Sequence, residues 1–404
     1  MEKTLCLSWQ AGALPRRVAV SREGSEALTI QEEGGRISCA LFYAGREKPL
    51  TLEAPAAPGD GVTLRLLPAR LELWVGGELR DEEWPCGERL YRGEAPYPAV
   101  TVTEEARQEA SAPAVTGTFT HATGWRPGNG VYVGDCMPYA HGGRYHVLYL
   151  KDRRRHQSKW GLGAHQWAHI STADGVTWQQ HPMAVEITDP MEGSICTGSW
   201  AEIGGKQFLY YTVRRADGGP APIRRSVSED GYHFTKDEAF SFTLSARYDG
   251  PSARDPKVVP GPEGELHMIL TTTRKDTGRG CLAHLTSRDG ERWREGPEPI
   301  YTSPTADQPE CPDYVAFAGR YYLFCSIRGT AHYLYSDSPF GPWQAPEDPV
   351  VPCARVPKAA VWQDKLVFAG FLPEEDFLRY AGTMTFKAAS AQEDGQLVFE
   401  DREM

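Results

Sequence analysis

Three acidic residues stand in front of copies of one repeated sequence pattern, and acids placed in this way can form a catalytic site. Asp135 lies eight residues before one copy, and Asp255 and Glu310 each lie nine residues before a later copy. Equivalent positions in repeated units point the same way, so we expect the three carboxyl groups to face one centre. Crowded carboxylates repel one another, which raises the pKa of one of them and lets it act as an acid. Two carboxyl groups that flank a glycosidic bond can hydrolyse it, whereas the alternative is that these acids cap turns or form structural ion pairs.

The repeated pattern predicts the elements that position these acids. Each copy is a turn residue and a polar residue followed by a run of strand-forming residues, and the copies begin at Gly143, Gly205, Gly264, Gly319 and Asp364. The steps of 45 to 62 residues are slightly longer than the ~40–50 residues of a propeller blade. A second marker, mostly an Asp-Gly turn followed by an aromatic residue, runs in phase with the first. Because helical periodicity is scarce, we predict an all-β fold with a five-bladed β-propeller over residues 120–404.

The first hundred residues have a different signature. Residues 62–67 and 70–75 alternate apolar with polar residues, and Gly76-Gly77 is typical of a hairpin turn. We therefore predict a smaller jelly-roll-like β-sandwich over residues 1–105 and a polar linker over residues 106–119. The acidic run at residues 81–83 is interpreted as a turn, so this module supplies no catalytic carboxylate. Its role is either scaffolding, including the formation of a homo-oligomer, or carbohydrate binding.

Composition excludes several classes of partner. The formal net charge of −11 over 404 residues argues against nucleic acid or an anionic membrane as a partner. Nine cysteines in an odd count, without metal-like spacing, indicate reduced thiols, and the N-terminus lacks the pattern of a signal peptide. We therefore expect a cytoplasmic protein. No nucleotide fingerprint or phosphate-cradling loop is present, and we expect neither a cofactor nor a metal.

Several motifs occur in the order and spacing of one enzyme family. Arg254-Asp255-Pro256 resembles the RDP block of glycoside hydrolase family 32, the β-fructofuranosidases, and Glu310-Cys311-Pro312-Asp313 resembles its EC block. Residues 167–174 resemble its WGHATS-type stretch and residues 197–199 its SGS stretch. The resemblance covers about residues 130–385. It implies that Asp135 is the nucleophile, Asp255 the transition-state stabiliser and Glu310 the acid/base of a retaining reaction.

The chain also departs from that family. The nucleophile block of the family reads WMNDPNG, whereas residues 132–138 of this chain keep only the aspartate, with Gly134 in front of it. Leu150 stands where the family has a substrate-binding glutamine. The residues that we expect to contact the sugar are Arg254, Trp160, Ser199 and Asp313.

Several other residues allow two interpretations each. His146, His165 and His169 lack paired spacing, which favours buried strand histidines over metal ligands. Trp167 either stacks on a sugar or packs between blades, and the basic run at residues 151–155 is either a solvated loop or an anion site.

The sequence predicts a glycoside hydrolase that removes a terminal furanosidic residue, foremost a β-fructofuranoside, from a small soluble saccharide. One alternative is an α-L-arabinofuranosidase or β-xylosidase of the related family 43. The other is a sugar-binding propeller without catalysis.

Overall fold

The computed structural model describes residues 4–85, 87–105, 113–128, 130–153, 163–374 and 380–400. Within these ranges the regular elements are thirty β-strands and one short 3-10 helix at Gly250–Ser252, so the predicted all-β class is confirmed. No helix among them has the length and apolar character needed to cross a lipid bilayer.

The N-terminal module consists of two antiparallel sheets. Their strands are β1 (Thr4–Gln10), β2 (Arg17–Arg22), β3 (Ser25–Glu33), β4 (Arg36–Leu41), β5 (Leu50–Pro55), β6 (Gly61–Leu66), β7 (Leu71–Val75), β8 (Glu78–Glu83) and β9 (Thr101–Glu105). One sheet has the order β8-β7-β6-β1-β9, and the other has the order β2-β3-β4-β5. Buried side chains of both sheets, such as Leu7, Ile30, Leu52 and Leu64, form one shared core.

Local sequence explains the hairpin between β7 and β8. Gly76 and Gly77 both have positive φ, which suits the tight turn that joins two twisted strands. On β6 the buried residues Val62, Leu64 and Leu66 alternate with the more accessible Thr63 and Arg65, as the sequence pattern predicts.

The acidic run at residues 81–83 does not form a turn. Asp81, Glu82 and Glu83 lie on β8 and are buried. Asp81 accepts a hydrogen bond of 2.9 Å from the backbone N–H of Glu53 in the other sheet. The interpretation as a turn was wrong because buried acids are stabilised by partners from elsewhere in the fold, which local composition does not reveal.

The remaining strands form the five blades of a propeller. They are β10 (Gly117–Thr120), β11 (Tyr132–His141), β12 (Arg144–Asp152), β13 (Gln166–Thr172) and β14 (Thr177–Gln180) in blade 1; β15 (Glu192–Ile203), β16 (Lys206–Arg215), β17 (Ile223–Ser228) and β18 (Thr235–Lys236) in blade 2; β19 (Arg254–Pro260), β20 (Leu266–Thr273), β21 (Gly280–Ser287), β22 (Arg294–Glu295) and β23 (Tyr301–Thr302) in blade 3; β24 (Glu310–Phe317), β25 (Arg320–Ile327) and β26 (Thr330–Ser336) in blade 4; and β27 (Arg355–Trp362), β28 (Lys365–Pro373), β29 (Gly382–Ala391) and β30 (Leu397–Glu400) in blade 5. Every pairing within a blade is antiparallel.

The repeated pattern marks the second strand of each blade. Its five copies coincide with β12, β16, β20, β25 and β28, and the strands β11, β15, β19, β24 and β27 that precede them line the centre. Each interface between neighbouring blades has its own cluster of buried apolar side chains. Blades 1 and 5 also pair directly, at Val133 and Gly382.

Two features connect the propeller to what precedes it. The strand β10 includes residues 117–119, which the sequence placed in the linker, and it pairs with β14 at the outer edge of blade 1. Most of the predicted linker, residues 106–112, lies outside the described residues. Ala69 and Trp84 of the module pack into the apolar cluster between blades 1 and 2. The module is thus seated against the propeller.

Candidate active site

The three predicted acids lie at the start of three inner strands and share contacts at one end of the central channel. Asp135 belongs to β11, Asp255 to β19 and Glu310 to β24, which are the inner strands of blades 1, 3 and 4. Cys311 connects two of them, because its thiol lies 3.4 Å from Asp135 Oδ2 and its backbone N–H donates a 3.0 Å hydrogen bond to Asp255 Oδ2. Arg254 connects Asp255 with Glu310.

A β-bulge near the start of each inner strand determines where its acid points. The bulges lie between Val133 and Cys136, between Arg254 and Lys257, and between Glu310 and Asp313, with two residues opposite one on the second strand. The acids do not occupy equivalent positions: Glu310 precedes its bulge, Asp255 is the first bulged residue of its strand and Asp135 is the second. The prediction that the acids occupy equivalent positions was therefore wrong, although the acids do meet. Bulges re-aim side chains, so three different positions can converge on one centre.

Asp135 is buried and held by three donors from other blades. The hydroxyl of Thr197 donates to Oδ2 at 2.6 Å, and the Cys311 thiol approaches the same oxygen. The hydroxyl of Tyr380 donates to Oδ1 at 3.1 Å. Hydrogen bonds of this kind fix the orientation of a carboxyl group, which a nucleophile requires.

Asp255 is the most deeply buried of the three acids. Its φ of 59° is in the left-handed region, which is uncommon for a residue other than glycine and typical of functional sites. Burial raises the pKa of Asp255 to about 6, and the nearby carboxylates of Asp135 and Glu310 add to the rise, while Arg254 and the N–H of Cys311 oppose it. One carboxyl group of the cluster thus retains a proton below about pH 6.

Glu310 occupies the open side of the site. Two-fifths of its side chain is exposed, whereas Asp135 and Asp255 are almost fully buried. Arg254 Nη2 donates a 2.7 Å hydrogen bond to Glu310 Oε1, and its Nη1 binds Gln308 Oε1 at 2.6 Å and the carbonyl of Ser252 at 2.9 Å. The guanidinium is therefore fixed, and through it the carboxyl group of Glu310.

Two predicted sugar contacts are buried and bonded to neighbouring blades, and their contact with a sugar stays a prediction. Asp313 is buried, pairs with Lys257 Nζ at 2.6 Å and accepts a 2.7 Å hydrogen bond from Ala359 N–H of blade 5. Ser199 is also buried, and its hydroxyl accepts a hydrogen bond of 2.9 Å from Val258 N–H. Their side chains satisfy neighbouring blades, because a buried polar group needs such partners.

The remaining predicted residues have separate outcomes. Arg254 is brought to the acids, while Trp160 lies outside the described residues. Trp167 is fully buried between blades 1 and 2, and its indole donates to the carbonyl of Cys196, so the packing interpretation is confirmed. His146 and His169 bond to each other at 3.0 Å, and His165 bonds to Asp152 at 2.9 Å. Among the described residues, no group of three or more His, Cys, Asp or Glu is arranged to hold a metal ion.

Sequence reasoning missed the donors around Asp135. Thr197 and Cys311 lie inside motifs that were recognised, so a search of those motifs for donors could have found them. The sequence around Tyr380 gave no indication of a contact with Asp135, since the two residues are 245 positions apart.

The arrangement fits acid–base and nucleophilic chemistry on one small substrate. A buried carboxylate, a more exposed carboxyl group and a third acid between them are held by one arginine and one cysteine. Two carboxyl groups of this kind can protonate a leaving oxygen and attack the carbon that it leaves.

Two solved structures share this fold. Fructan 1-exohydrolase IIa from Cichorium intybus superimposes with a TM-score of 0.57 at 18% identity, covering 70% of this chain and 60% of that one. A thermostable family-43 glycoside hydrolase superimposes with a TM-score of 0.52 at 15% identity, covering 68% of this chain and 94% of that one. At these identities the likeness establishes the fold.

Two curated proteins are similar to part of the chain in sequence. A β-fructofuranosidase, insoluble isoenzyme 7, of Oryza sativa subsp. indica is 26% identical over 196 residues, which is 45% of this chain and 31% of that protein. A sucrose-6-phosphate hydrolase of Escherichia coli is 25% identical over 209 residues, which is 46% of this chain and 39% of that protein. The chain thus spans between three-tenths and two-fifths of the length of these curated relatives.

A sequence profile described as the glycosyl hydrolases family 32 N-terminal domain matches residues 136–341, about half of the chain. The match begins directly after Asp135, where the chain departs from the nucleophile block of the family, and it includes Asp255 and Glu310 with their motifs. The chain therefore belongs to glycoside hydrolase family 32.

Proposed function

We propose that the protein is a retaining glycoside hydrolase that removes a terminal β-fructofuranosyl residue from a small soluble saccharide. The observation that carries the proposal is the bridging of all three acids, by Cys311 between Asp135 and Asp255 and by Arg254 between Asp255 and Glu310. Support also comes from the relatives, which are named as a β-fructofuranosidase and a sucrose-6-phosphate hydrolase. The Cichorium intybus neighbour has been solved with 1-kestose.

The different solvent exposure of Asp135 and Glu310 fits their proposed roles. Asp135 attacks the anomeric carbon from the buried side, while Glu310, on the open side, protonates the oxygen of the departing sugar. A water molecule then cleaves the glycosyl-enzyme with Glu310 as the base. Such a double displacement requires the Asp135 and Glu310 carboxyl groups to lie ~5–5.5 Å apart in the substrate complex, whereas an inverting enzyme needs roughly 6.5–9.5 Å.

Asp255 is proposed to stabilise the cationic transition state. Its ionised form holds hydroxyl groups of the flattened sugar ring more tightly in the transition state than in the ground state. Arg254 supports this role, because its charge favours the ionised form of Asp255 against the effect of burial. Arg254 is also the expected contact to sugar hydroxyls, since it lies between Asp255 and Glu310.

A substrate screen tests the proposal. The purified protein is given aryl β-D-fructofuranoside, sucrose, sucrose 6-phosphate and short fructans, with aryl α-L-arabinofuranoside and aryl β-D-xyloside in parallel, and the released sugars are identified. NMR of the first product anomer distinguishes the two families. Released fructose with retained configuration supports the proposal, whereas arabinose or xylose with inverted configuration identifies the family-43 type of activity. Binding of a fructoside without turnover of any substrate identifies a sugar-binding propeller.

Two further features of the protein remain proposals. A cytoplasmic location is supported by the free thiols of Cys6, Cys39 and Cys281 in buried positions, and cell fractionation tests it. Formation of a homo-oligomer through the N-terminal module is tested by light scattering of the chain with and without substitutions on the exposed surface of that module.

A further inference from the structure

Gly134, which precedes the nucleophile, is a glycine for reasons of space. Its φ is not among the positive values of the chain, so the backbone does not require a glycine there. A Cβ atom at this position would lie 2.9 Å from the hydroxyl oxygen of Tyr380, 3.0 Å from Leu150 Cβ and 3.2 Å from the carbonyl oxygen of Leu150. The hydroxyl of Tyr380 thus occupies the room that a side chain at position 134 would need.

The ring of Tyr380 is held so that its hydroxyl reaches Asp135. It contacts Phe371 edge-on, with ring centroids 5.2 Å apart, and stacks on His165 at 5.4 Å. His165 is itself fixed by a 2.9 Å hydrogen bond to Asp152. With the ring held on two sides, the hydroxyl donates to Asp135 Oδ1 at 3.1 Å. Burial raises the pKa of Tyr380 well above its usual range, so the hydroxyl keeps its proton and remains a donor.

Gly134, Leu150 and Tyr380 therefore come together beside the nucleophile. Gly134 and Leu150 are two of the positions at which the sequence departs from the family pattern, and a Cβ atom on Gly134 would meet both Leu150 and the hydroxyl of Tyr380. Tyr380 comes from the segment that leads into the third strand of blade 5 and reaches across the junction between blades 5 and 1.

We propose that Tyr380 is a positioning residue for the nucleophile and that Gly134 is small in order to admit it. This inference rests on the proposed function, because it assigns a role to a hydrogen bond made to Asp135. When one oxygen of Asp135 bonds to the anomeric carbon, the other becomes the carbonyl oxygen of the glycosyl ester. When water attacks, the bond between carbon and oxygen breaks, the electron pair returns to Asp135, and Tyr380 donates to the carboxylate that re-forms.

The first test replaces the hydroxyl and measures kinetics on the best substrate of the screen. We expect Tyr380→Phe to lower kcat/KM by roughly 10- to 100-fold, the loss that corresponds to one hydrogen bond to a charged group. The loss should fall mainly on kcat and not on KM, because the hydrogen bond is made to the nucleophile and not to the sugar. The matched control is Tyr322→Phe, which removes a buried hydroxyl that bonds the carbonyl of Gly395 at 3.1 Å between blades 4 and 5. The control should leave both kcat and KM unchanged.

The second test measures the coupling of the two residues without using activity. Gly134→Ala is made in the parent and in the Tyr380→Phe background, and melting temperatures are compared. We expect the alanine to lower the melting temperature more in the parent, because the closest contact of its Cβ is with the hydroxyl that Tyr380→Phe removes. Equal decreases in both backgrounds, or a Tyr380→Phe enzyme with unchanged kcat, would overturn the inference. A parent that hydrolyses no furanoside would instead refute the proposed function, and the stability coupling would still decide whether Gly134 is small because of Tyr380.

Discussion

The carboxylate of Glu82 in the N-terminal module lies 2.6 Å from the ammonium group of Lys151 in blade 1. Glu82 is fully buried and also pairs with Arg153 at 3.3 Å. Burial on its own would raise the pKa of Glu82, but the two cations lower it below its ordinary value. Lys151 pairs across the sheet with Val133, two residues before Asp135, so the module is anchored close to the nucleophile.

Glu82→Gln should destabilise the protein by about 3–5 kcal/mol, because it leaves two cations without their buried partner. Urea unfolding at pH 7 measures the change. The matched control is Glu33→Gln, which removes an exposed ion pair with Arg16 and should change the free energy of unfolding by less than about 1 kcal/mol. Equal effects of the two substitutions would show that the contact with the propeller contributes little to stability.

The catalytic roles predict that only the Glu310 variant is sensitive to the leaving group. Asp135→Asn should reduce turnover of every substrate by roughly 10⁴-fold or more, because no step proceeds without the nucleophile. Glu310→Gln should slow substrates with poor leaving groups by roughly 10²–10⁴-fold and activated aryl glycosides far less, since only the former need protonation. Steady-state kinetics on sucrose and on an aryl fructofuranoside measure both. Near-normal turnover by Asp135→Asn would remove this residue from the role of nucleophile.

The raised pKa of Asp255 predicts that its ionisation lowers the stability of the folded protein at neutral pH. Between about pH 4 and 6 the folded protein holds a proton at Asp255 that the unfolded chain has released. The contribution of this group to stability therefore falls as pH rises through that window, by about 3 kcal/mol in total. Asp255→Asn should gain stability relative to the parent over the same window while losing activity, as urea unfolding at a series of pH values would show. The exposed Glu347→Gln serves as a control whose profile should run parallel to that of the parent.

Buried histidines between blades 1 and 2 predict sensitivity to acid. Burial and the neighbouring His181 lower the pKa of His146 to about 3 and that of His169 well below its usual range. The unfolded chain takes up protons below about pH 6.5, so stability present above that pH is lost as the pH falls. His169→Phe should reduce the slope of unfolding free energy against pH by about 1.4 kcal/mol per pH unit between pH 4 and 6. An unchanged slope would show that these rings are protonated in the folded state.

Gly198, in the SGS-like stretch, should tolerate no side chain. A Cβ atom there would lie 1.9 Å from the carbonyl oxygen of Tyr210 and 2.8 Å from the ring of Trp167. We expect Gly198→Ala to cost more than about 3 kcal/mol or to give insoluble protein. Gly61→Ala is the control, because its Cβ would meet nothing closer than Gln10 Nε2 at 3.9 Å. Thermal unfolding of both variants provides the comparison, and a stable Gly198→Ala protein would contradict the expected clash.

The sequence by itself determined the blades and the identity of the acids. Strand periodicity, turn residues and the motifs around Asp255 and Glu310 are local properties. Local patterns can be recognised in a single sequence. The same locality explains the error at residues 81–83, where acids in a row suggested a turn although partners from other parts of the fold stabilise them on a buried strand.

Tertiary structure alone decided how the acids are held. The bulges that re-aim the acids are properties of strand pairing, which one sequence does not display. Ser199 and Asp313 bond to partners from other blades, which their own motifs do not reveal. Tyr380 reaches Asp135 only because the ring of blades closes and brings residues 245 positions apart into contact. Contacts of this kind depend on packing between distant segments, which neither spacing nor composition encodes.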